Sequence, residues 1–383
     1  AERGVVEGNR RAGTRIRPRP APAPARVAAV LPGTRDLASG NPDPAFLPDV
    51  AAVMRTTAER ISGTVLYGGD AVVPELAALA RAAFAADGVD LPAITITGGA
   101  LDAVERALSV YLRPGMRVAV EDPGYGGLLD LVAAMELAGD PVAVDDEGML
   151  PEGLAAAIRR GAQAVVVTPR AQNPTGAALT PRRIEALAAV LAEAPGVLLI
   201  EDDHAGAVAG PDAVTIPGPV RKVVVRSCSK AYGPDLRVAI VAGDEETVAG
   251  VQRRQAVGAG WVSHALQELV LTILALPETP DRVQAARDAY AERRAALVSA
   301  LAGHGIASMG RSGLNVWVPV PEEAPVLAGM AARGWAIGPG SRHRLASPPA
   351  VRVTTARLDP ADALAVAAAL AATLGREGGT RTG

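Results

Sequence analysis

Cysteine, lysine and aromatic residues are scarce in this chain of 383 residues, and their scarcity limits what the protein can be. The single cysteine, Cys228, excludes an internal disulfide and any metal site built from clustered cysteines. No uninterrupted apolar run reaches the roughly 18 residues of a membrane span, and the arginine-rich start lacks the apolar stretch of a signal peptide. We therefore expect a soluble, cytoplasmic protein in a reducing compartment.

The bulk composition is that of a folded protein with very little lysine. A hydrophobic fraction of 49% and a charged fraction of 21% exclude wholesale disorder. The length allows two or three domains. Of the 38 basic residues only Lys222 and Lys230 are lysines. With abundant alanine, glycine and proline, this bias suggests GC-rich coding, in which lysine is retained mainly where it is needed.

Charge is distributed unevenly along the chain. Residues 1–26 carry seven arginines and two glutamates, a net charge of +5, whereas the remainder carries a net charge of −8. This asymmetry is expected when one end of a protein contacts nucleic acid or another polyanion, and a solvated tail is the alternative on charge alone. Residues 4–7 and 14–16 flank a basic turn, which predicts a two-stranded ribbon with a cationic tip. The prolines of residues 18–24 predict a stiff, extended linker.

Beyond the linker, apolar strand-like runs alternate with helical patterns. Alternating strands and helices predict a largely parallel sheet that is covered on both faces. From about Glu245 the pattern becomes mostly helical, and it ends with short strand candidates at 314–318 and 351–355 and an alanine-rich helix. We therefore expect an α/β large domain followed by a smaller α+β domain. The candidate strands of the large domain are residues 93–97, 117–121, 141–144, 164–168, 197–200, 222–226 and 238–242.

Polar motifs follow several of these strands, and ligands of open α/β sheets bind beyond the carboxyl ends of strands. Gly99 and Ala100 open a helix directly after a strand, where free backbone N–H groups can cradle a phosphate, although many such turns are simply rich in glycine. Tyr125 ends a Glu-Asp-Pro-Gly-Tyr segment, and a rim aromatic is the alternative. Asn173 belongs to a Gln-Asn-Pro-Thr-Gly turn, for which turn chemistry alone is the alternative.

Two further motifs carry ionisable groups. Residues 200–204 place three acidic residues and His204 at the end of a strand, where a metal site is a competing interpretation. Residues 227–230 read Ser-Cys-Ser-Lys, and Arg237 lies seven residues beyond Lys230. A solvent-facing lysine is the alternative there, and the scarcity of lysine weighs against it.

Taken together and in this order, the motifs resemble the fold type I pyridoxal 5′-phosphate (PLP) enzymes, the aspartate-aminotransferase-like superfamily. The similarity runs from about residue 38 to residue 374 and is greatest to the aminotransferase-like domain of MocR-subfamily, GntR-type transcriptional regulators. This resemblance implies a large domain with a mostly parallel, seven-stranded sheet between helices and a smaller C-terminal α+β domain. It also implies PLP as the cofactor, no metal, and a homodimer.

The resemblance implies roles for the residues around the cofactor ring. Lys230 matches the lysine that forms a Schiff base with PLP, and burial with nearby positive charge would make its amine a usable nucleophile. Asp202 matches the carboxylate that keeps the pyridine nitrogen protonated, so that the ring acts as an electron sink. Asn173 matches the donor to the 3′ oxygen of the ring, and Tyr125 matches the aromatic residue stacked on its face.

The resemblance also implies residues for the phosphate. Ser227 and Arg237 match side-chain ligands of the phosphate, joined by the backbone of Gly99 and Ala100, and arginine suits this role because its guanidinium binds in bidentate fashion. Tyr67 matches a tyrosine that reaches the phosphate bound by the partner subunit, which makes an isologous contact in a two-fold dimer.

For the substrate, Gly40 and Arg352 match the glycine and the arginine that hold an α-carboxylate. His204 stands near the place of a tyrosine that also hydrogen-bonds the 3′ oxygen. Imidazole can still donate there, but it would alter the proton affinity of the cofactor's Schiff base. We therefore expect ligand binding with slow or absent turnover.

The resemblance also implies a role for residues 1–26, which we call the basic head. Residues 5–16 look like the wing of a GntR-type winged helix-turn-helix, whose basic ribbon contacts the DNA backbone. We expect the recognition helices to precede Ala1, so that DNA is contacted only through a motif mostly missing from this chain. The expected domains are a wing remnant, a Pro-rich linker, an N-terminal arm with the large domain, and a small domain, at residues 1–17, 18–37, 38–250 and 251–383 respectively.

Two functions follow from these residues. The first is the PLP-binding domain of a MocR/GntR-type regulator that senses a small amine or amino acid through formation of an external aldimine. The second is a stand-alone class I/II aminotransferase that moves an amino group between an amino acid and a 2-oxo acid. A different PLP reaction, such as a lyase, is a third alternative. The wing and linker favour the regulator.

Overall fold

The computed structural model describes residues 6–9, 13–16, 33–61, 63–218 and 220–375. In these ranges no helix combines the length and the apolar character needed to cross a membrane. The strands are β1 (Val6–Asn9), β2 (Gly13–Ile16), β3 (Arg35–Leu37), β4 (Ala93–Thr97), β5 (Arg117–Asp122), β6 (Ala138–Asp145), β7 (Gly148–Met149), β8 (Ala162–Val167), β9 (Leu198–Asp203), β10 (Lys222–Ser227), β11 (Ala239–Gly243), β12 (Asn315–Pro319), β13 (Trp335–Pro339) and β14 (Ala350–Thr354). The α-helices are α1 (Val50–Arg60), α2 (Pro74–Ala86), α3 (Ala100–Tyr111), α4 (Gly126–Ala134), α5 (Pro151–Arg159), α6 (Pro181–Ala192), α7 (Glu245–Ala256), α8 (His264–Ala275), α9 (Thr279–Gly303), α10 (Glu323–Ala331) and α11 (Ala363–Thr373).

The basic head contains the expected ribbon. β1 and β2 pair antiparallel, with Val6 opposite Ile16 and Asn9 opposite Gly13. The expected cationic tip at residues 10–12 and the Pro-rich linker at residues 18–24 lie outside the described residues.

The large sheet has the strand order β4-β11-β10-β9-β8-β5-β6-β7. Every neighbouring pair from β10 to β6 is parallel, and β11 runs antiparallel to both of its neighbours. The predicted mostly parallel sheet is therefore confirmed, but it has eight strands rather than seven. The eighth strand, β7, has two residues and follows a tight turn, where Gly148 has φ +92°. A strand of two residues is too short to leave a periodic pattern in the sequence.

Helices cover both faces of this sheet, which explains why its strands are apolar without alternation. Helices α3, α4 and α7 pack on one face, in a core that contains Leu108 and Val223. Helices α5 and α6 pack on the other face, in a core that contains Leu187 and Leu199. Helix α6 begins at a proline, and the Thr180 side chain caps it by accepting a hydrogen bond from the N–H of Arg183.

The smaller sheet has the order β12-β14-β13-β3. The sequence predicts β12 and β14 but not β13 or β3. Strand β3 lies at the end of the predicted linker and pairs in parallel with β13, with Arg35 opposite Trp335. Its pattern was not predicted because it has three residues, two of them charged. Residues 35–37, which end the predicted linker, are thus part of the small sheet.

Helix α9 joins the two sheets. The predicted domain boundary at residue 250 lies inside α7, and Val248 and Val251 of that helix pack on the large sheet. In α9, by contrast, Leu297 and Leu301 are buried in the core of the small sheet. We therefore propose that the boundary between the large and small domains lies within α9.

Candidate functional site

The predicted motifs meet at the carboxyl ends of the large sheet's strands. Asp202 is the next-to-last residue of strand β9. The segments that follow β4, β5, β8 and β10 contain Gly99, Tyr125, Asn173 and Lys230, respectively. Because parallel strands end at the same edge of a sheet, residues far apart in sequence converge there.

Asp202 is a buried carboxylate whose Oδ1 atom has no hydrogen-bond partner. Burial, together with the charges of Asp203 and Glu121, raises the pKa of Asp202 to about 7. An unpaired buried carboxylate oxygen is costly unless a donor satisfies it. A protonated pyridine nitrogen is such a donor, so the site fits the ring that the resemblance implies.

Lys230 lies beside Gly40, one of the two residues that the resemblance implies for substrate binding. Its Nζ atom donates a hydrogen bond of 2.8 Å to the carbonyl oxygen of Gly40. Burial lowers the pKa of Lys230 to about 8, and the positive charge of Arg352 acts in the same direction. A larger share of the amine is therefore neutral near physiological pH than in an ordinary lysine, as a nucleophile requires.

Arg352 lies against two of the other predicted residues, Asn173 and Gly40. Its Nη1 atom donates to Oδ1 of Asn173 at 3.0 Å, and its Nη2 atom donates to the carbonyl oxygen of Ala38. Gly40 has φ +68°, and a Cβ there would lie 3.2 Å from Nη2 of Arg352. With Oδ1 of Asn173 accepting from Arg352, the amide nitrogen of Asn173 is turned to the other side, as a donor to a ring oxygen requires.

The loop after β4 forms a cradle with Arg237. Gly99 has φ +115° and precedes helix α3, and a Cβ there would lie 2.9 Å from Nη2 of Arg237. That guanidinium donates to the carbonyl oxygen of Gly98 at 3.2 Å. Ser227 contributes a hydroxyl that lies 2.8 Å from the hydroxyl of Ser229. Backbone N–H groups at a helix start, an arginine and two hydroxyls are suitable ligands for a phosphate.

The acidic residues beside Asp202 are engaged elsewhere. Glu201 accepts from the N–H of Ile216 at 2.6 Å, and its Oε1 lies 3.2 Å from Nζ of Lys222. Asp203 forms a bidentate ion pair with Arg170, at 2.9 and 2.8 Å. In the part of the chain that the structure describes, no group of three His, Cys, Asp or Glu side chains is placed to hold a metal ion.

His204 has a hydrogen-bond partner within its own chain. Its Nε2 atom lies 3.0 Å from the carbonyl oxygen of Ala171, which can only accept, so Nε2 carries the proton. Burial, assisted by the positive charge of Lys230, lowers the pKa of His204 to about 4, so the ring is neutral. Its one N–H is therefore committed to Ala171, whose φ is +52°. This geometry favours support of that strained turn over donation to a cofactor oxygen.

The two predicted tyrosines lie in different surroundings. Tyr125 caps helix α4 and packs over Gly127, where an added Cβ would lie 2.7 Å from its ring. The burial of its hydroxyl raises the pKa of Tyr125, and the charge of Asp202 acts in the same direction. Tyr67 is 92% exposed and contacts the ring of Trp261 edge-on, at 5.6 Å between centroids. The structure does not bring Tyr67 to the site of its own chain.

Sequence reasoning did not identify the buried support beneath the Asn173 turn. The Gln172 amide donates to Oε2 of Glu121 at 3.1 Å and to the carbonyl oxygen of Pro123 at 2.8 Å. Its own oxygen accepts from the N–H of Thr175 at 2.9 Å. Both Gln172 and Glu121 stand inside the motifs, but nothing in their spacing indicates that their side chains meet.

Comparisons with known proteins show which family and which regulators the chain is similar to. Residues 34–370 match the family described as aminotransferase class I and II. The chain is 40% identical over 347 residues to the vitamin B6 salvage pathway transcriptional repressor PtsJ of Salmonella typhimurium. The aligned region covers 89% of this chain and 80% of PtsJ. It is 31% identical over 237 residues to the HTH-type transcriptional regulator TauR of Rhodobacter capsulatus. That aligned region covers 60% of this chain and 48% of TauR.

Solved structures share the fold. An archaeal alanine:glyoxylate aminotransferase superimposes with a TM-score of 0.81 at 22% identity, covering 90% of this chain and 91% of that chain. The α-aminoadipate aminotransferase LysN of Thermus thermophilus, complexed with N-(5′-phosphopyridoxyl)-L-leucine, superimposes with a TM-score of 0.78 at 22% identity, covering 91% of this chain and 95% of that chain. These likenesses establish the fold type I architecture that the sequence predicts.

Proposed function

The chain belongs to the aminotransferase class I and II family, and on that premise we propose that it is the PLP-binding sensor domain of a MocR/GntR-type transcriptional regulator. PtsJ and TauR, to which it is similar, are both named as transcriptional regulators. The ribbon of β1 and β2 supports the interpretation of residues 1–17 as the remnant of a DNA-binding wing.

The cofactor of this family is PLP, which supplies an aldehyde carbon that bonds to amines and a ring that accepts electrons. Asp202, Asn173 and Tyr125 are the residues that hold the ring. Arg237 and Ser227, with the N–H groups at the start of α3, hold the phosphate. Lys230 presents a partly neutral amine to the aldehyde carbon. Every one of these roles is a proposal carried by the contacts described above.

One observation carries the sensor function: the two side chains that would meet the ligand both hold the segment that leads to the head. Lys230 donates to the carbonyl oxygen of Gly40, and Arg352 donates to that of Ala38. These residues directly follow β3, which is paired with β13. A ligand carboxylate is a stronger acceptor than a backbone carbonyl, so binding at Arg352 weakens its hold on Ala38. Ligand binding therefore changes how firmly the chain leading to the head is anchored.

We further propose that the functional unit is a homodimer. Val65, Leu66 and Tyr67 are 49%, 73% and 92% exposed, and they extend one apolar stretch over the surface. Consecutive exposed apolar residues mark a site of protein association. In a two-fold dimer this stretch of one subunit contacts the same or an adjoining surface of the partner subunit. Such a contact would bring Tyr67 toward the site of the partner subunit.

The test is to mix the PLP-loaded chain with a panel of amino acids and 2-oxo acids, following visible absorbance and product together. A sensor changes its absorbance with an amino acid and forms little or no product. Turnover of several molecules per second with any pair would instead identify a stand-alone aminotransferase. The Arg352→Gln variant serves as a control, because it should keep the cofactor and lose the response to amino acids.

A further inference from the structure

A buried carboxylate at the end of strand β5 holds a loop of the small domain. Asp122, the last residue of β5, is buried and accepts four hydrogen bonds from the loop between β13 and β14. Its Oδ1 accepts from the N–H of Leu345 and the hydroxyl of Ser347, both at 2.9 Å. Its Oδ2 accepts from the N–H groups of Ala346 and Ser347, at 2.7 and 2.9 Å.

Backbone contacts next to Asp122 tighten the same attachment. The N–H of Gly124 donates to the carbonyl oxygen of His343 at 2.7 Å, and Nδ1 of His343 donates to the carbonyl oxygen of Gly124 at 3.1 Å. Burial lowers the pKa of His343 to about 3, so its ring stays neutral. A Cβ on Gly126 would lie 2.3 Å from the carbonyl oxygen of Arg342. We call residues 122–126 and 342–347 together the clasp.

The clasp joins the two parts of the ligand site. On the large domain it contains Tyr125, which stands between Gly124 and Gly126. On the small domain it ends shortly before β14, which carries Arg352 at its centre. The clasp is therefore one of the contacts that position Arg352 relative to Tyr125, beside the direct bond from Arg352 to Asn173. Its hydrogen bonds to a charged acceptor are of the strong kind.

We propose that Asp122 is a positioning residue for ligand recognition: through the 343–347 loop it holds Arg352 in place opposite Tyr125 and Asn173, so that selection of ligands with a carboxylate depends on it. This inference rests on the proposed function, in which Arg352 binds that carboxylate. Asparagine at position 122 would replace one acceptor oxygen by an N–H₂ group that faces a backbone N–H donor.

The experiment measures the binding of two probes to the full chain freed of cofactor. The probes are N-(5′-phosphopyridoxyl)-L-alanine and N-(5′-phosphopyridoxyl)ethylamine, which differ only by the carboxylate. The ratio of their affinities reports recognition of the carboxylate, and a general loss of stability does not change it. We expect Asp122→Asn to lower this ratio on the order of tenfold or more, because small displacements of a binding group are costly. Ser347→Ala, which removes one of the four bonds, should lower it by about two- to fivefold.

Asp140→Asn is the matched control. Asp140 is also buried in the large sheet and accepts from Arg117 and Arg160 at 2.7 and 2.9 Å, but it lies outside the clasp. Its substitution should leave the ratio unchanged. A folded Asp122→Asn variant with the ratio of the unaltered chain would overturn the proposal. If that variant does not fold, an unchanged ratio in Ser347→Ala would overturn it. Equal binding of both probes to the unaltered chain also overturns it, whereas binding of neither probe contradicts the proposed function itself.

Discussion

Replacing Lys222 with methionine is expected to destabilise the fold strongly, although Lys222 takes no part in the proposed chemistry. The side chain is buried, and its Nζ atom lies 3.2 Å from Oε1 of Glu201. It also donates to the hydroxyl of Thr215 and, at 2.6 Å, to the carbonyl oxygen of Ile216. The variant leaves Glu201 fully buried without its cation. Removing one partner of a buried pair costs about 3–5 kcal/mol, and we expect a loss in that range.

The loss of stability in Lys222→Met should depend on pH in a defined direction. Burial raises the pKa of Glu201, and Lys222 is the main influence that opposes the rise. Without Lys222 the folded-state pKa rises further above the unfolded value. A group with a raised folded pKa is favourable below its unfolded pKa and loses that contribution as pH rises through the folded pKa. The difference in the free energy of unfolding between the variant and the unaltered chain is therefore smaller in mild acid and larger at neutral pH.

Urea unfolding of the cofactor-free chain at about pH 5 and about pH 8 measures both effects. Lys222→Met combined with Glu201→Gln should recover much of the loss, since no unpaired charge remains buried. Arg182→Met is the control, because Arg182 is 84% exposed and its pair with Glu147 should contribute no more than about 1 kcal/mol. A loss below about 1 kcal/mol for Lys222→Met would refute the reasoning, as would an equal loss at both pH values.

Three further predictions concern the cofactor site. Since the pKa of Lys230 is lowered to about 8, uptake of PLP by the free chain should accelerate with rising pH around that value, and a midpoint near that of ordinary lysine would contradict the assignment. Tyr67→Phe should weaken retention of PLP without unfolding the chain, as dialysis and circular dichroism would measure, and a monomer that retains PLP fully at micromolar concentration would exclude the dimer contact. Gly99→Ala adds a Cβ 2.9 Å from Nη2 of Arg237 in a backbone of φ +115°, so PLP affinity should fall about tenfold or more; unchanged affinity in equilibrium titration would refute the phosphate cradle.

The parts of the fold that could be predicted from sequence are those with repeated or ordered signals. The buried strands of the large sheet are long apolar runs, and the motifs after them keep the order of their strands. The two-residue β7 and the charged β3 carry no such signal, because their positions depend on pairing with β6 and β13. Tertiary pairing of this kind is not encoded in local periodicity.

The same distinction applies to the site. The sequence suggests roles for Lys230 and Asp202 because their motifs resemble those of a known chemistry. It did not indicate that the N–H of His204 is taken by the carbonyl oxygen of Ala171, because that contact depends on the path of another loop. It did not indicate a role for Asp122, since the four donors that surround that carboxylate come from the other domain, more than 220 positions away.

The proposed function depends most on a covalent bond between PLP and Lys230, and the scarcity of lysine makes that bond easy to locate. The PLP-loaded chain is reduced with borohydride, digested and mapped by mass spectrometry, with Lys230→Ala as the control. The account predicts a phosphopyridoxyl group on Lys230 alone and none in the variant, because Lys222 is buried in its ion pair with Glu201. Labelling of Lys222, or no labelling of a chain that still binds PLP, would contradict it.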